Sequence, residues 1–196
     1  MAKRFFTCFI VLISLKGIGQ ETKSFVVGIA QGKLTSPYYD KSKWGDDFNI
    51  DLDYSFTKRG ILSGNFNWGK HTYFDPTGSP AVIYGDGTNA NQRYYTFSFL
   101  YKYAIIAKER FLVSVGTGAG GMVKVTEKFY TETTNPSQLT YPRDFVSYDL
   151  VFPVRVDATY KLSSHFHIGV LGGFYVNPDF PILAYHGAIK IGFRLK

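Results

Sequence analysis

The sequence predicts an all-β fold, with eight antiparallel strands wound up-and-down into a closed barrel. Three observations carry that prediction. Apolar and polar residues alternate with period two in eight segments, which sorts them onto two faces as a strand does. The connections between those segments alternate short and long along the chain. Finally, 18 Phe and 15 Tyr among 196 residues are more rings than one soluble core of this length needs.

The N-terminus stands apart from this pattern. Lys3 and Arg4 precede the apolar run Phe5 to Leu15, and small residues follow at Gly17 and Gly19. A basic start, a short apolar stretch and small residues predict a secretory signal peptide over residues 1–19, with the barrel domain over 20–196. The run is too short for the ~20 residues of a membrane helix. Cys8, the only cysteine, lies inside it, which excludes a disulfide framework and a zinc finger. The formal charge of +7 also owes much to this leader. Without Lys3, Arg4 and Lys16, 19 basic residues face 15 acidic ones, leaving +4, so nucleic acid is not an expected partner.

The strands follow in order. Phe25, Val27 and Ile29 mark the first. The second, Phe48 to Phe56, sorts perfectly: even positions are apolar or aromatic, odd positions polar. Leu62, Gly64, Phe66 and Trp68 mark the third. In the fourth, Tyr95, Phe97, Phe99, Tyr101 and Tyr103 alternate with Tyr94, Thr96, Ser98, Leu100 and Lys102. Phe111, Val113 and Val115 mark the fifth. The sixth alternates from Ser147 to Tyr160, where Pro153 removes a ladder hydrogen bond and predicts a bulge or a local gap. Phe166, Ile168 and Val170 mark the seventh, and Ile189, Ile191, Phe193 and Leu195 the eighth.

The short connections are Thr57 to Gly60, Ala104 to Arg110, and Lys161 to Ser164. The others, Leu34 to Asp47, Lys70 to Gln92, Lys124 to Asp144 and Val176 to Ala184, are mostly long. In an up-and-down barrel this puts tight turns at one rim and large loops at the other, as in barrels that cross a membrane. Period two alone does not say which face points out. The aromatic face is too bulky for the interior of eight strands, which barely admits side chains. The opposite face mixes charges with Gly116, Gly118, Gly120, Gly169 and Gly173, as a narrow self-filling lumen requires. Aromatics also gather toward both strand ends, near the tight rim at Tyr54, Phe56, Tyr103, Phe111, Tyr160, Phe166 and Phe193. Trp68, Tyr95, Tyr148 and Phe174 lie toward the loop rim, completing a double girdle. The expectation is therefore an eight-stranded antiparallel up-and-down transmembrane β-barrel.

On these features the chain resembles the small outer-membrane barrels of the OmpA/OmpX type and the related PorT-like or porin-family proteins, over Gln20 to Lys196. Such barrels usually end on an aromatic residue, whereas this chain ends Phe193-Arg194-Leu195-Lys196. The resemblance implies residence in a Gram-negative outer membrane, contact with its lipid and lipopolysaccharide, and insertion by barrel-assembly machinery. It further implies a monomer that meets an unknown surface partner.

The chemistry-bearing residues predict little chemistry. Gly116 to Gly121 fits a GxGxxG pattern, but no helix opens after it, so no dinucleotide or other cofactor is expected. His165 and His167 would share a strand face at chelating distance, yet lack identifiable further ligands, so no metal site is expected. Ser164 and His165 fall at the tight rim, far from any outer-leaflet substrate, so no catalytic residues are assigned. Asp51, Asp53, Asp149, Arg155, Asp157, Lys190 and Arg194 share the lumen face and should pair into a network that plugs it, with Lys190 and Arg194 meeting Asp51 or Asp53. Loop aromatics, notably Tyr39, Trp44, Tyr73, Phe74 and Tyr130, are candidates for surface contacts. The expected function is a non-catalytic structural or surface-interaction role through long extracellular loops. A narrow channel for small solutes and a secreted lipocalin-like binder are the alternatives.

Overall fold

In the computed structural model, residues 23–37, 41–75, 88–134, 137–179 and 182–195 are described, with the backbone alone at 75, 88–89 and 128–143. The leader and the domain boundary expected at residue 20 lie outside them. Eight strands follow one another: β1 (Ser24–Thr35), β2 (Gly45–Ser55), β3 (Gly60–Asp75), β4 (Thr88–Ala107), β5 (Phe111–Thr134), β6 (Ser137–Lys161), β7 (Phe166–Val176) and β8 (Ala184–Leu195). Each pairs antiparallel with its neighbours in sequence order. β8 closes on β1 from Phe25↔Leu195 to Thr35↔Tyr185. Closure leaves no unpaired edge, which a strand structure in lipid requires.

The strands alternate as expected, with large apolar side chains outward and polar ones inward. Phe99, Ile189 and Tyr148 are 66%, 65% and 79% exposed, whereas Asp51, Asn67 and Lys102 are at most 1% exposed. A contiguous apolar wall of this size is unstable in water and belongs in lipid. Its borders are visible. At the tight rim Phe25 stacks on Tyr54 at 4.6 Å, and Phe166 meets Phe193 edge-on at 5.4 Å. At the other end Phe48, Trp68 and Tyr95 sit at one cross-strand level. Immediately above them the outward positions turn charged. Lys33 and Lys70 both pair with Asp46, at 3.1 and 3.5 Å, and Arg93 pairs with Asp144 at 3.6 Å.

Several expected boundaries need correction. The tight connections are shorter or shifted: 56–59, 108–110 and 162–165. β4 continues through the segment expected as a turn, because an extra residue at Ile105 lets Ala104↔Ser114 step to Ile106↔Val113. Lys124 to Asp144 is not a loop. The β5–β6 ladder runs through it to Thr134↔Ser137, its Thr-rich, β-branched sequence favouring extension beyond the membrane band. Pro153 leaves a gap rather than a bulge: the ladder to β5 skips from Thr117↔Val154 to Gly120↔Val151 without losing register.

Candidate functional site: the lumen and the outer rim

Two strand segments, on β2 and β6, bring charges at alternate residues to the centre of the barrel, and β4 and β8 add one lysine each. Arg155 on β6 binds Asp51 on β2 through Nη1 at 2.8 Å and Nη2 at 2.5 Å, and donates from Nε to Asp157 at 2.8 Å. Asp157 lies 2.8 Å from Lys102 on β4, which also reaches Asp53 at 2.9 Å. Asp53 lies 3.0 Å from Lys190 on β8, and Lys190 returns to Asp51 at 2.7 Å. These contacts form a closed ring, Asp51–Arg155–Asp157–Lys102–Asp53–Lys190, in which signs alternate and every charge touches two of the opposite sign. The even-numbered strands β2, β4, β6 and β8 supply it. The ring carries no net charge, and Asn65 adds a donor to Asp51 at 2.7 Å.

Two glycines make the ring fit. A Cβ at Gly28 would stand 2.4 Å from Lys190 Cε, and one at Gly116 would stand 2.6 Å from Lys102 Cγ. The lysine stems cross the lumen through the notches left by those missing side chains.

Five of the seven lumen residues singled out from sequence thus meet in one ring. Lys102 completes it; its place on the polar side of the β4 alternation was the available signal. Asp149 stands apart, paired with Lys124 at 2.8 Å nearer the outer rim. Arg194 makes no ion pair with Asp51 or Asp53 among the described residues, which corrects the expectation for it. On β8 it lies across from Val26, nearer the tight rim than Lys190.

Above the ring, Asp47 accepts hydrogen bonds from Asn49 and Asn67 at 2.6 and 2.5 Å, with His186 Nδ1 at 3.4 Å. Higher still the lumen is closed by apolar side chains: Leu34, Met122, Val151, Tyr175 and Leu183 form one buried cluster with Tyr94 and Ala184. Leu183, just before β8, is fully buried. Its amide bonds to the Tyr175 carbonyl at 2.8 Å, and its carbonyl accepts from Ser36 Oγ at 2.5 Å. Inward Leu and Val residues in the strand alternation foreshadow this layer, but only the fold brings Leu183 to it.

At the mouth, His71 Nδ1 lies 2.9 Å from Ser42 Oγ, and Nε2 lies 2.9 Å from Tyr94 Oη. Gln92 accepts from Tyr94 and donates to Thr126 at 2.8 Å. Burial pushes the His71 imidazole down to about 4, despite the opposing hydrogen bond to Gln92. A neutral imidazole held among a hydroxyl, a phenol and an amide ties the first loop to the barrel wall. Asp46, at the charged rim, is lowered by its hydrogen bond to Lys33.

The loop aromatics divide. Trp44 is 64% exposed, beside a hollow of about 390 Å³ lined by Lys43, Lys70, Gln92, Arg93 and Glu127. Phe74 is half-buried beneath Lys41, whose Nζ sits 4.8 Å from the ring centroid. Tyr73 is a correction: it belongs to β3 and is buried, because the strand continues past the membrane band and turns that position inward. Tyr39, like Tyr38 and Tyr84, lies outside the described residues, as do the side chains of Phe129, Tyr130 and Tyr141. The two histidines expected to share a face also part. His165 occupies the tight turn, with its ring stacked on lipid-facing Phe193 at 6.0 Å, and His167 sits in β7.

No protein-family model and no curated protein sequence matches the chain. Solved structures do. Ail, the attachment invasion locus protein of Yersinia pestis, determined with the heparin analogue sucrose octasulfate, is 14% identical with a TM-score of 0.54. That match covers 88% of this chain and 97% of Ail. The outer membrane protein OprG of Pseudomonas aeruginosa is 12% identical with a TM-score of 0.53, covering 90% of this chain and 98% of its own. Neisserial surface protein A is 12% identical with a TM-score of 0.51, covering 90% and 99%. At this identity the likeness is one of fold: the chain has the architecture of the small eight-stranded outer-membrane barrels.

Proposed function

We propose that this chain is a monomeric outer-membrane barrel with a closed lumen, which acts at the cell surface through its outer rim and not by catalysis or conduction. The closed charge ring is the observation that carries this reading. Every acid and base in it is already paired, and an apolar layer lies above it, so ions meet both a neutral plug and a dry constriction. The lipid-facing band supports contact with outer-membrane lipid and lipopolysaccharide, and the fold supports insertion by barrel-assembly machinery.

The rim hollow offers what a surface partner needs: an exposed ring at Trp44, with three cations, two amides and Glu127 around a recess. Sucrose octasulfate, the ligand held by Ail, is a suitable first probe. The experiment that tests the reading is planar-bilayer recording of the refolded protein beside sucrose octasulfate titration. Silent bilayers and saturable binding weakened by Trp44→Ala are expected. A stable conductance lost on Arg155→Glu would replace this reading with the channel.

A further inference from the structure

Beneath the ring, toward the tight rim, lies a cavity of about 70 Å³. Its roof is Lys102, Lys190, Asp53 and Asp157, and its walls include Ser55, Ser114, Thr159, His167 and Arg194. The roof belongs to the ring and is neutral, since its acids and bases are spent on each other. Arg194 is therefore in excess. It makes no ion pair among the described residues, and its Nε is buried without a hydrogen-bond partner. The same holds for His167 Nε2, whose residue lines the same cavity. A guanidinium remains charged at any ordinary pH, and leaving a buried donor without an acceptor is costly. The space exceeds the ~30 Å³ share of one water and is far too small for a sugar or nucleotide.

We infer that this vestibule binds one small monovalent anion, a halide or a carboxylate, between Arg194 and His167, with the hydroxyls of Ser55, Ser114 and Thr159 around it. The anion supplies the acceptor that both buried donors lack and balances the charge of Arg194. The neutral imidazole suffices, since Nε2–H donates without protonation of the ring. The site is independent of the outer rim, from which the ring and the apolar layer separate it.

Chloride-35 NMR line broadening on the refolded protein in micelles tests the inference, with sodium chloride as the probe. Broadening that saturates, and that falls at least tenfold in Arg194→Met while persisting in Lys108→Met, is expected. His167→Leu keeps Arg194 intact and should weaken binding too. Heat-modifiable gel migration checks that each variant is folded. Sodium formate distinguishes the two anions: displacement of chloride by equimolar formate identifies a carboxylate site, and no displacement a halide site. Broadening that is linear in chloride and equal in wild type and Arg194→Met would overturn the proposal and leave a water-filled vestibule. Equal loss in Lys108→Met, an exposed cation in a tight turn, would reduce it to general surface charge.

Discussion

Replacing Lys102 by Met keeps the length of the side chain and removes one charge from the ring. Asp53 and Asp157 each lose one of two cations, and the ring acquires a net charge of −1 where most of its members are buried. At 2.8–2.9 Å each lost pair represents about 6 kcal/mol of attraction at an effective dielectric near 20. Most of that is offset by the desolvation of buried charges, and breaking such a pair by removing one partner typically costs about 3–5 kcal/mol. The assay is urea unfolding of the barrel in lipid vesicles, followed by tryptophan fluorescence and heat-modifiable migration. Adding Asp53→Leu should recover much of the loss, because Asp157, Arg155, Asp51 and Lys190 then form a neutral chain with each contact intact. A Lys102→Met barrel within about 1 kcal/mol of wild type would refute the closed ring, as would a double variant whose cost equals the sum of the singles.

The lipid-facing wall predicts that Phe99→Arg, midway between the girdles on β4, destabilises the bilayer-embedded barrel by about 2–4 kcal/mol. An unchanged urea midpoint would mean that this face meets water. Gly28→Val should displace Lys190 from the ring and cost about 1–3 kcal/mol, whereas Gly121→Ala, where a Cβ would meet nothing within 4 Å, should stay within about 0.5 kcal/mol. The His71 imidazole is lowered on folding from its ordinary 6.5 to about 4, so its neutral form stabilises the mouth above pH 6.5. That contribution fades as pH falls from 6.5 toward 4, by up to about 3 kcal/mol of local stability. The hydrogen-exchange protection factors at the amides of residues 92–94, taken relative to the intrinsic rate at each pH, should therefore fall on acidification. His71→Gln should flatten that slope, and an unaltered slope would remove His71 as its source.

Local pattern and lumen content were legible to different degrees. The run Phe48 to Phe56 states its two faces outright, because side-chain direction in a strand depends only on residue parity. Strand number, order and the outward aromatic face follow from the same rule. Boundaries beyond the membrane band were not legible. Lys124 to Asp144 reads as a polar loop, yet the ladder continues through it, since a hairpin clear of lipid needs no apolar face to persist. Tyr73 was placed on the surface for the same reason, and the continuing strand turned it inward.

By itself, the sequence determined that Asp51, Asp53, Arg155, Asp157 and Lys190 face the lumen, since parity is a local property of the chain. It did not determine which of them touch. Asp51 and Arg155 are 104 residues apart, and their pairing depends on barrel diameter and on the register at each of the ladders between them. Lys102 joins the ring and Arg194 does not, because axial level, unlike face, depends on the registers between strands. Tertiary structure thus decided that the charges cancel in a closed ring and that one arginine is left over beneath it.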